Sequence, residues 1–281
     1  MHGLKRFWKN ANIRLKFGIF VAIFFIILGF VVPRFCPVDP IAYNTFPKRL
    51  PPNKTNILGT TELGQDTFWL LVNSIQNSLA IGLIVATIGT VVGVVVGLVA
   101  GFRGGLADRL LMIITDTFVV IPSLPILILM TSLMKGRASV IVLAIVLACF
   151  AWAWPARQVR AMALSIKERD FIHTAWFSGE GTLQVVVTEI LPYVLTWSLS
   201  NFMNAVLSAI ASESGLAVLG LSAANLPTLG NMISWARERN ALMLKQWFAI
   251  LSPVVATMVL FIGLFLLITG YNEYMSMKRG R

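Results

Sequence analysis

The sequence predicts an all-α membrane protein with six transmembrane helices. Of its 281 residues, 57% are hydrophobic and only 12% charged, about half the roughly 25% charged content of an average soluble domain. A helix needs roughly 20 apolar residues to cross a hydrocarbon core of about 30 Å. Six runs approach or exceed that length, at about 15–33, 78–102, 110–134, 139–155, 193–211 and 247–270. Orientation follows from charge. Five bases and no acid (Lys5, Arg6, Lys9, Arg14, Lys16) precede or enter the first run, where the positive-inside rule weighs most. With that end inside, 14 of the 23 basic residues fall on cytoplasmic segments, so both termini are expected to be cytoplasmic. The formal charge of +11 is thereby explained by topology rather than by nucleic acid.

Residues 1–16 alternate bases with Leu4, Phe7, Trp8, Ile13 and Leu15. This suits either an amphipathic helix in the headgroup layer or a basic flank that only sets topology. The first run is too long for a signal-peptide core and has no small-residue cleavage site, so it is expected to stay as an anchor. It opens a segment, 17–77, whose second part is a polar external loop with Pro37, Pro40, Pro47, Pro51 and Pro52, too proline-rich to begin as a helix. Cys36 and Cys149 fall on different segments and are expected to remain unpaired.

The transmembrane core is expected over 78–270. In its first span Gly89, Gly93, Gly97 and Gly101 recur every four residues, which lines one helical face with hydrogen atoms and predicts close helix packing. The third run carries Asp116, then Pro122 and Pro125. An acid at membrane depth must face protein or water, as a hydrogen-bonded structural group or as part of a path. In the fifth run Trp197, Asn201, Asn204 and Ser208 share one helix face, lining either a translocation path or a hydrogen-bonded seam between helices. Residues 212–246 read as a second external loop with short helices, and 271–281 as a cytoplasmic tail.

The chain contains no G-x-x-x-x-G-K-[ST] for ATP, no H-E-x-x-H, no G-x-S-x-G and no Cys/His cluster. It reads as a passage, not a catalyst. Between the fourth and fifth runs a cytoplasmic loop of about 157–191 is longer than a turn requires. A helix over Phe171–Phe177 would be favoured by Asp170 at its start and ended at Ser178-Gly179. A second helix over Thr182–Ile190 would then lead through Pro192 back to the membrane, leaving Trp176 and Phe177 exposed to a partner.

That loop resembles the coupling loop of ABC importer permeases of the dipeptide/oligopeptide (peptide, oligosaccharide, nickel) class, in which E-A-A, three residues, Gly and ten residues precede I-L-P. His173-Thr174-Ala175 takes the E-A-A place, Gly179 the glycine and Ile190-Leu191-Pro192 the ending. Gly59–Asp66, G-T-T-E-L-G-Q-D, is similar to the family's G-T-D-E-L-G-R-D, with Thr61 and Gln65 as departures. Asp116 with Ile121-Pro122 resembles its D-x-x-x-x-x-P, and Leu219–Met232 its L-G-L-G…P-S-W-G-N-M, with Leu229 in the tryptophan's place.

The resemblance implies the type I importer permease fold and a C-type subunit that forms half of a translocation path. Its partners would be a B-type permease, two cytoplasmic ATPase subunits that bind ATP and Mg, and an external substrate-binding protein. His173, Thr174, Ala175, Trp176, Phe177 and Gly179 would form the ATPase-coupling helix. The chain itself would need no cofactor, hold no metal and bind no nucleic acid. Oligopeptides or dipeptides are the expected solute and oligosaccharides the alternative, with Trp69, Trp197, Trp235 and Trp247 available either to stack on sugars or to sit at the membrane interface. Nickel would call for imidazole or carboxylate ligands, and the external half has no histidine. A stand-alone channel or secondary transporter is the distant alternative; the inverted repeats common in such transporters are not visible.

Overall fold

The computed structural model describes residues 11–134, 139–223 and 225–279, with side chains described up to 277. The basic segment 1–10 and residues 280–281 of the tail lie outside the described residues. Among those described, the regular secondary structure is helical apart from an isolated antiparallel bridge between Thr60 and Asp66, and residues 36–66 are otherwise turns and irregular loop. The helices are α1 (Ile13–Phe30), α2 (Thr67–Arg103), α3 (Gly105–Val120), α4 (Ser123–Leu133), α5 (Val140–Ala151), α6 (Ala153–Lys167), α7 (Asp170–Phe177), α8 (Thr182–Val185), α9 (Leu191–Val218), α10 (Leu229–Glu238) and α11 (Trp247–Arg279). Four helical stretches, Ile13–Phe35, Thr67–Arg103, Thr182–Val218 and Trp247–Met277, are each long and apolar enough to cross a membrane; the bent pairs α3–α4 and α5–α6 raise the number to six if each is one span.

Several boundaries differ from the sequence expectation for local reasons. Helix α2 starts at Thr67, well before residue 78, because Asp66 caps it: its Oδ1 accepts from the N–H groups of Phe68 and Trp69 at 2.8 and 3.1 Å. The third run is not one straight helix but bends by 79° between α3 and α4. Pro122 causes this: the preceding Ile121 is extended, with φ −65° and ψ 123°, while Pro125 sits in the first turn of α4, where no N–H is needed. The fourth run continues past residue 155 to Lys167 after a 41° bend, where Pro155 has no N–H to offer the carbonyl of Ala151. The second loop helix starts at Thr182 as expected but does not stop. It widens into five residues of π-helix, Val186–Ile190, and runs through Pro192 into α9. Helix α9 in turn extends to Val218, past the expected end at 211.

Contacts divide the chain into two compact units, one of Met1–Gly82, Ile128–Leu143 and Leu207–Arg281, the other of Leu83–Leu127 and Ala144–Val206. In the first, α1 packs along α11 through small residues, with Gly18 against Leu267, Gly263 against Val21 and Gly270 against Leu15. Asn12 ties their ends together: its Oδ1 caps α1 at the N–H of Leu15 (2.8 Å) while its Nδ2 donates to Glu273 (2.7 Å). In the second unit the glycine face of α2 lies on the ends of α5 and α6. A Cβ on Gly89, Gly93, Gly97 or Gly101 would come within 2.9 Å of Ala151 Cβ, 2.7 Å of Pro155 Cβ, 2.5 Å of Ala156 O and 2.8 Å of Ala163 Cβ.

Gly97→Leu is expected to destabilise the fold by about 1–3 kcal/mol, because the new side chain meets backbone that cannot retreat. Gly215→Ala in α9, with open space around it, is expected to be neutral or stabilising. Thermal unfolding of the detergent-solubilised protein compares the two.

Candidate functional site: helix α7 and the contacts that lead to it

Helix α7 is eight residues long, too short to persist alone, and is held from both ends and from beneath. Asp170 lies in its first turn, where the helix dipole favours an acid. At the other end Gly179 adopts φ +85°. Its N–H donates to the carbonyl of Trp176 (3.0 Å) and that of Glu180 to Ala175 (3.2 Å), the paired bonds of a Schellman cap. Glycine is required there because an L side chain is strained at that φ.

Beneath, Ile172 and Ala175 are buried in a cluster with Val159, Ala163 and Ile166 of α6 and Val185, Ile190 and Val194 of the return segment. His173 and Thr174 point to solvent. Trp176 is not the free surface expected of it. It is half-buried, edge-on to Phe102 (6.3 Å between centroids) and to His173 (5.6 Å). Phe102 is in turn covered by Lys167, whose Nζ lies 5.4 Å from the ring centroid and donates to the Phe102 carbonyl at 3.1 Å. Phe177 is the exposed aromatic, 92% accessible. Only Glu168 and Arg169 separate α6 from α7.

Asp116 does not stand alone in α3. Arg157 of α6 donates to it from both Nε and Nη2, in a half-exposed pair. A second pair, Arg160 with Asp108, joins the same two helices and is more buried. Read along the sequence, Arg157 and Arg160 look like topology charges, and only the bend of the chain reveals their acids. The stripe on α9 divides along its length. Trp197 packs against Trp154 in a tilted pair, 6.0 Å between centroids, and Asn201 is buried with its Nδ2 unpartnered, whereas Asn204 and Ser208 are exposed. The Asn204 amide is bonded to the carbonyl of Ser200 at 3.1 Å.

A buried acid was missed in the sequence because the polar run Ser212-Glu213-Ser214 looked like the start of a loop. Glu213 lies inside α9, 1% exposed, and its Oε1 accepts from the hydroxyls of Ser222 (3.0 Å) and Thr228 (2.7 Å). Asn231 extends the network: its N–H donates to Thr228 Oγ1, and its Nδ2 donates to the carbonyls of Ala223 and Leu226, both at 2.8 Å. Nearby, Asn77 donates to the carbonyl of Pro227 (2.7 Å), and Ser78 Oγ accepts from the N–H of Leu229 (3.0 Å). The L-G-L-S…P-T-L-G-N-M stretch is therefore a pinned loop that ends in α10.

Two departures from the family pattern are also internal. Gln65 is 2% exposed and donates to the carbonyl of Ile41 (2.8 Å), and Leu229 is fully buried.

A family model for the binding-protein-dependent transport system inner membrane component matches residues 93–278, the stretch that contains three of the four glycines of the α2 face, both Asp–Arg pairs, α7 and the Glu213 network. The chain belongs to this family. It is thus a multi-pass transport component of the inner membrane. Its relatives place it in the dipeptide/oligopeptide/nickel class of C-type permeases. The oligopeptide transport system permease protein OppC of Mycobacterium bovis is 31% identical over 219 residues, covering 77% of this chain and 74% of that protein. OppC of Bacillus subtilis is 30% identical over 235 residues (81% and 76%). The nickel transport system permease protein NikC of Escherichia coli is 26% identical over 238 residues (83% of each).

Glu213→Leu leaves the Ser222 and Thr228 hydroxyls without their acceptor and is expected to cost about 1–3 kcal/mol. Glu213→Gln keeps an acceptor in place and is expected to lose less. Protease sensitivity of residues 219–231, followed by mass spectrometry, checks this order.

Proposed function

We propose that this chain is the C-type permease subunit of an ATP-driven importer. In this reading it spans the membrane six times, α3–α4 and α5–α6 each serving as one bent span, with both termini in the cytoplasm. Together with a B-type permease it forms the translocation path. Two ATPase subunits bind ATP and Mg and perform the hydrolysis, and an external binding protein delivers the solute. This chain contributes no catalytic group.

The observation that carries the proposal is the form of α7. A two-turn helix has its inner side, Ile172 and Ala175, fixed in the chain's own core and leaves His173, Thr174 and Phe177 uncovered. A large aromatic at 92% exposure on a rigidly capped helix is the anchor a partner's cleft needs. Movement imposed on α7 passes to α6 through two residues and through the Trp176–Phe102–Lys167 contact. From α6 it reaches α3 through the two Asp–Arg pairs.

Oligopeptides or dipeptides are the solute this reading favours. Relatives at 31% and 30% identity are named as oligopeptide permeases. Gln65 and Leu229, which depart from the family pattern, are interior packing residues and do not argue for another solute. The oligosaccharide alternative leans on tryptophans, yet Trp197 packs against Trp154, Trp235 lies under Arg239 and Trp69 is edge-on to Phe68.

In the reconstituted complex, Phe177→Asp is expected to abolish solute-stimulated ATP hydrolysis and uptake while the chain still inserts and keeps its unfolding temperature. Gly179→Val is expected to weaken coupling by loosening the cap. Uptake at the wild-type rate in Phe177→Asp would sink the assignment. The path assignment has its own check in a cysteine-free background. Asn204→Cys and Ser208→Cys are expected to react readily with a water-soluble thiol reagent, and Asn201→Cys slowly. Equal labelling at Leu199→Cys, on another face of α9, would contradict it.

A further inference from the structure

A cavity of about 190 Å³ lies between residues 49–60 of the first interhelical loop and residues 244–249, where α11 begins. Its walls include Leu50, Pro51, Leu58 and Phe248, with the hydroxyl-bearing Thr60 and Thr67, and its charged groups are both cations, Arg49 and Lys245, beside the Gln246 amide. No acid lines it. Among the described residues neither Arg49 nor Lys245 is within ion-pair distance of a carboxylate, and the Gln246 Nε2 is buried without a hydrogen-bond partner. The start of α11 at Trp247 adds the positive end of a long helix.

The backbone at both cations is held in an uncommon shape. Arg49 has φ +60° and Lys245 φ +56°, left-handed conformations that residues with side chains adopt rarely. Neighbouring bonds impose them: the Arg49 N–H donates to the Thr61 carbonyl (3.1 Å) and Leu50 to Thr60 Oγ1 (2.8 Å), while Lys245 donates to Leu242 (3.1 Å) and Gln246 to Ala241 (2.9 Å). Two unpaired cations are thus presented to one hollow by strained, hydrogen-bonded turns.

The charge imbalance extends beyond the hollow. The acids of these loops already have donors: Asp66 has Asn56, Glu62 has Arg239, Glu238 has Ser234 and Asp39 has the Ile41 N–H. Arg34, Lys48, Arg49, Lys54 and Lys245 have no such partner among the described residues. A single carboxylate would satisfy the cavity and leave the surrounding cations unused. An acidic protein face would use both.

We propose that this cavity is the docking socket for an Asp or Glu side chain of the external solute-binding protein, with the surrounding cations meeting acidic residues around it. The proposal rests on the importer reading above, which puts these loops outside. The socket carboxylate accepts from Arg49, Lys245 and Gln246, and charge complementarity guides the approach.

The test uses the complete complex in lipid nanodiscs and its purified cognate binding protein. Arg49→Ser combined with Lys245→Ser is expected to weaken binding about tenfold at low ionic strength and to flatten its salt dependence. A water-soluble carbodiimide is expected to join the Lys245 Nζ to an Asp or Glu of the binding protein. The carboxylate oxygen leaves with the reagent as a urea and an amide bond forms. Lys245→Arg is expected to lose that cross-link yet keep its affinity within about twofold, which separates a charge role from a folding defect. Unchanged affinity and salt dependence in the double variant would overturn the proposal, as would a Lys245 cross-link to the peptide solute alone. If wild-type complex binds no such protein, the importer reading falls too; if wild type and double variant bind alike, the socket falls alone.

Discussion

The close approach of α2 to the ends of α5 and α6 is the contact on which the rest of the site depends. Four glycines at a spacing of four let the backbone of Ala151–Arg160 lie directly on α2, an arrangement van der Waals packing favours in lipid, where apolar surface gains nothing from leaving water. This fixes the direction of α6 and with it the positions of Arg157, Arg160 and Lys167. Each then meets a partner that sequence distance alone would not suggest: Asp116, Asp108 and the carbonyl of Phe102. Helix α7, the proposed coupling helix, is the last member of this series, two residues beyond the end of α6.

Rigidity is distributed to suit that arrangement. The outward-facing side of α7 is exposed, but its fold is over-determined by a buried cluster, an acidic start and a glycine cap. In the other unit the Glu213 network performs a comparable service for residues 219–223 and 225–228, where a buried carboxylate, two hydroxyls and one asparagine amide hold an irregular segment against α9. Irregular backbone in or near a membrane persists only where its polar groups are satisfied inside the protein, and Asn231 satisfies two carbonyls at once.

Much of this was legible in the sequence where a rule is local. The spacing of Gly89 to Gly101 marked a face, Ser178-Gly179 marked the end of α7, and the apolar runs marked the helices. What escaped was set by tertiary context. Proline is the main reason the boundaries differ: Pro122 breaks the third run, Pro155 bends the fourth, and Pro192, expected to stand between a loop helix and the fifth run, lies inside a continuous helical stretch just after five residues of π-helix. Glu213 was read as loop because its neighbours are polar, while its acceptor role depends on hydroxyls 9 and 15 residues away. Trp176 and Phe177 look equivalent in sequence, and only the position of Phe102 decides which of them is covered.

The composition of the native assembly tests the central claim most directly. This chain, purified gently from its own membrane and weighed as an intact complex by native mass spectrometry, is expected to be accompanied by one different permease and two ATPase subunits. A mass equal to this chain alone or to copies of it, with solute transport intact after reconstitution and no ATP required, would contradict the account and favour a self-sufficient channel or secondary transporter.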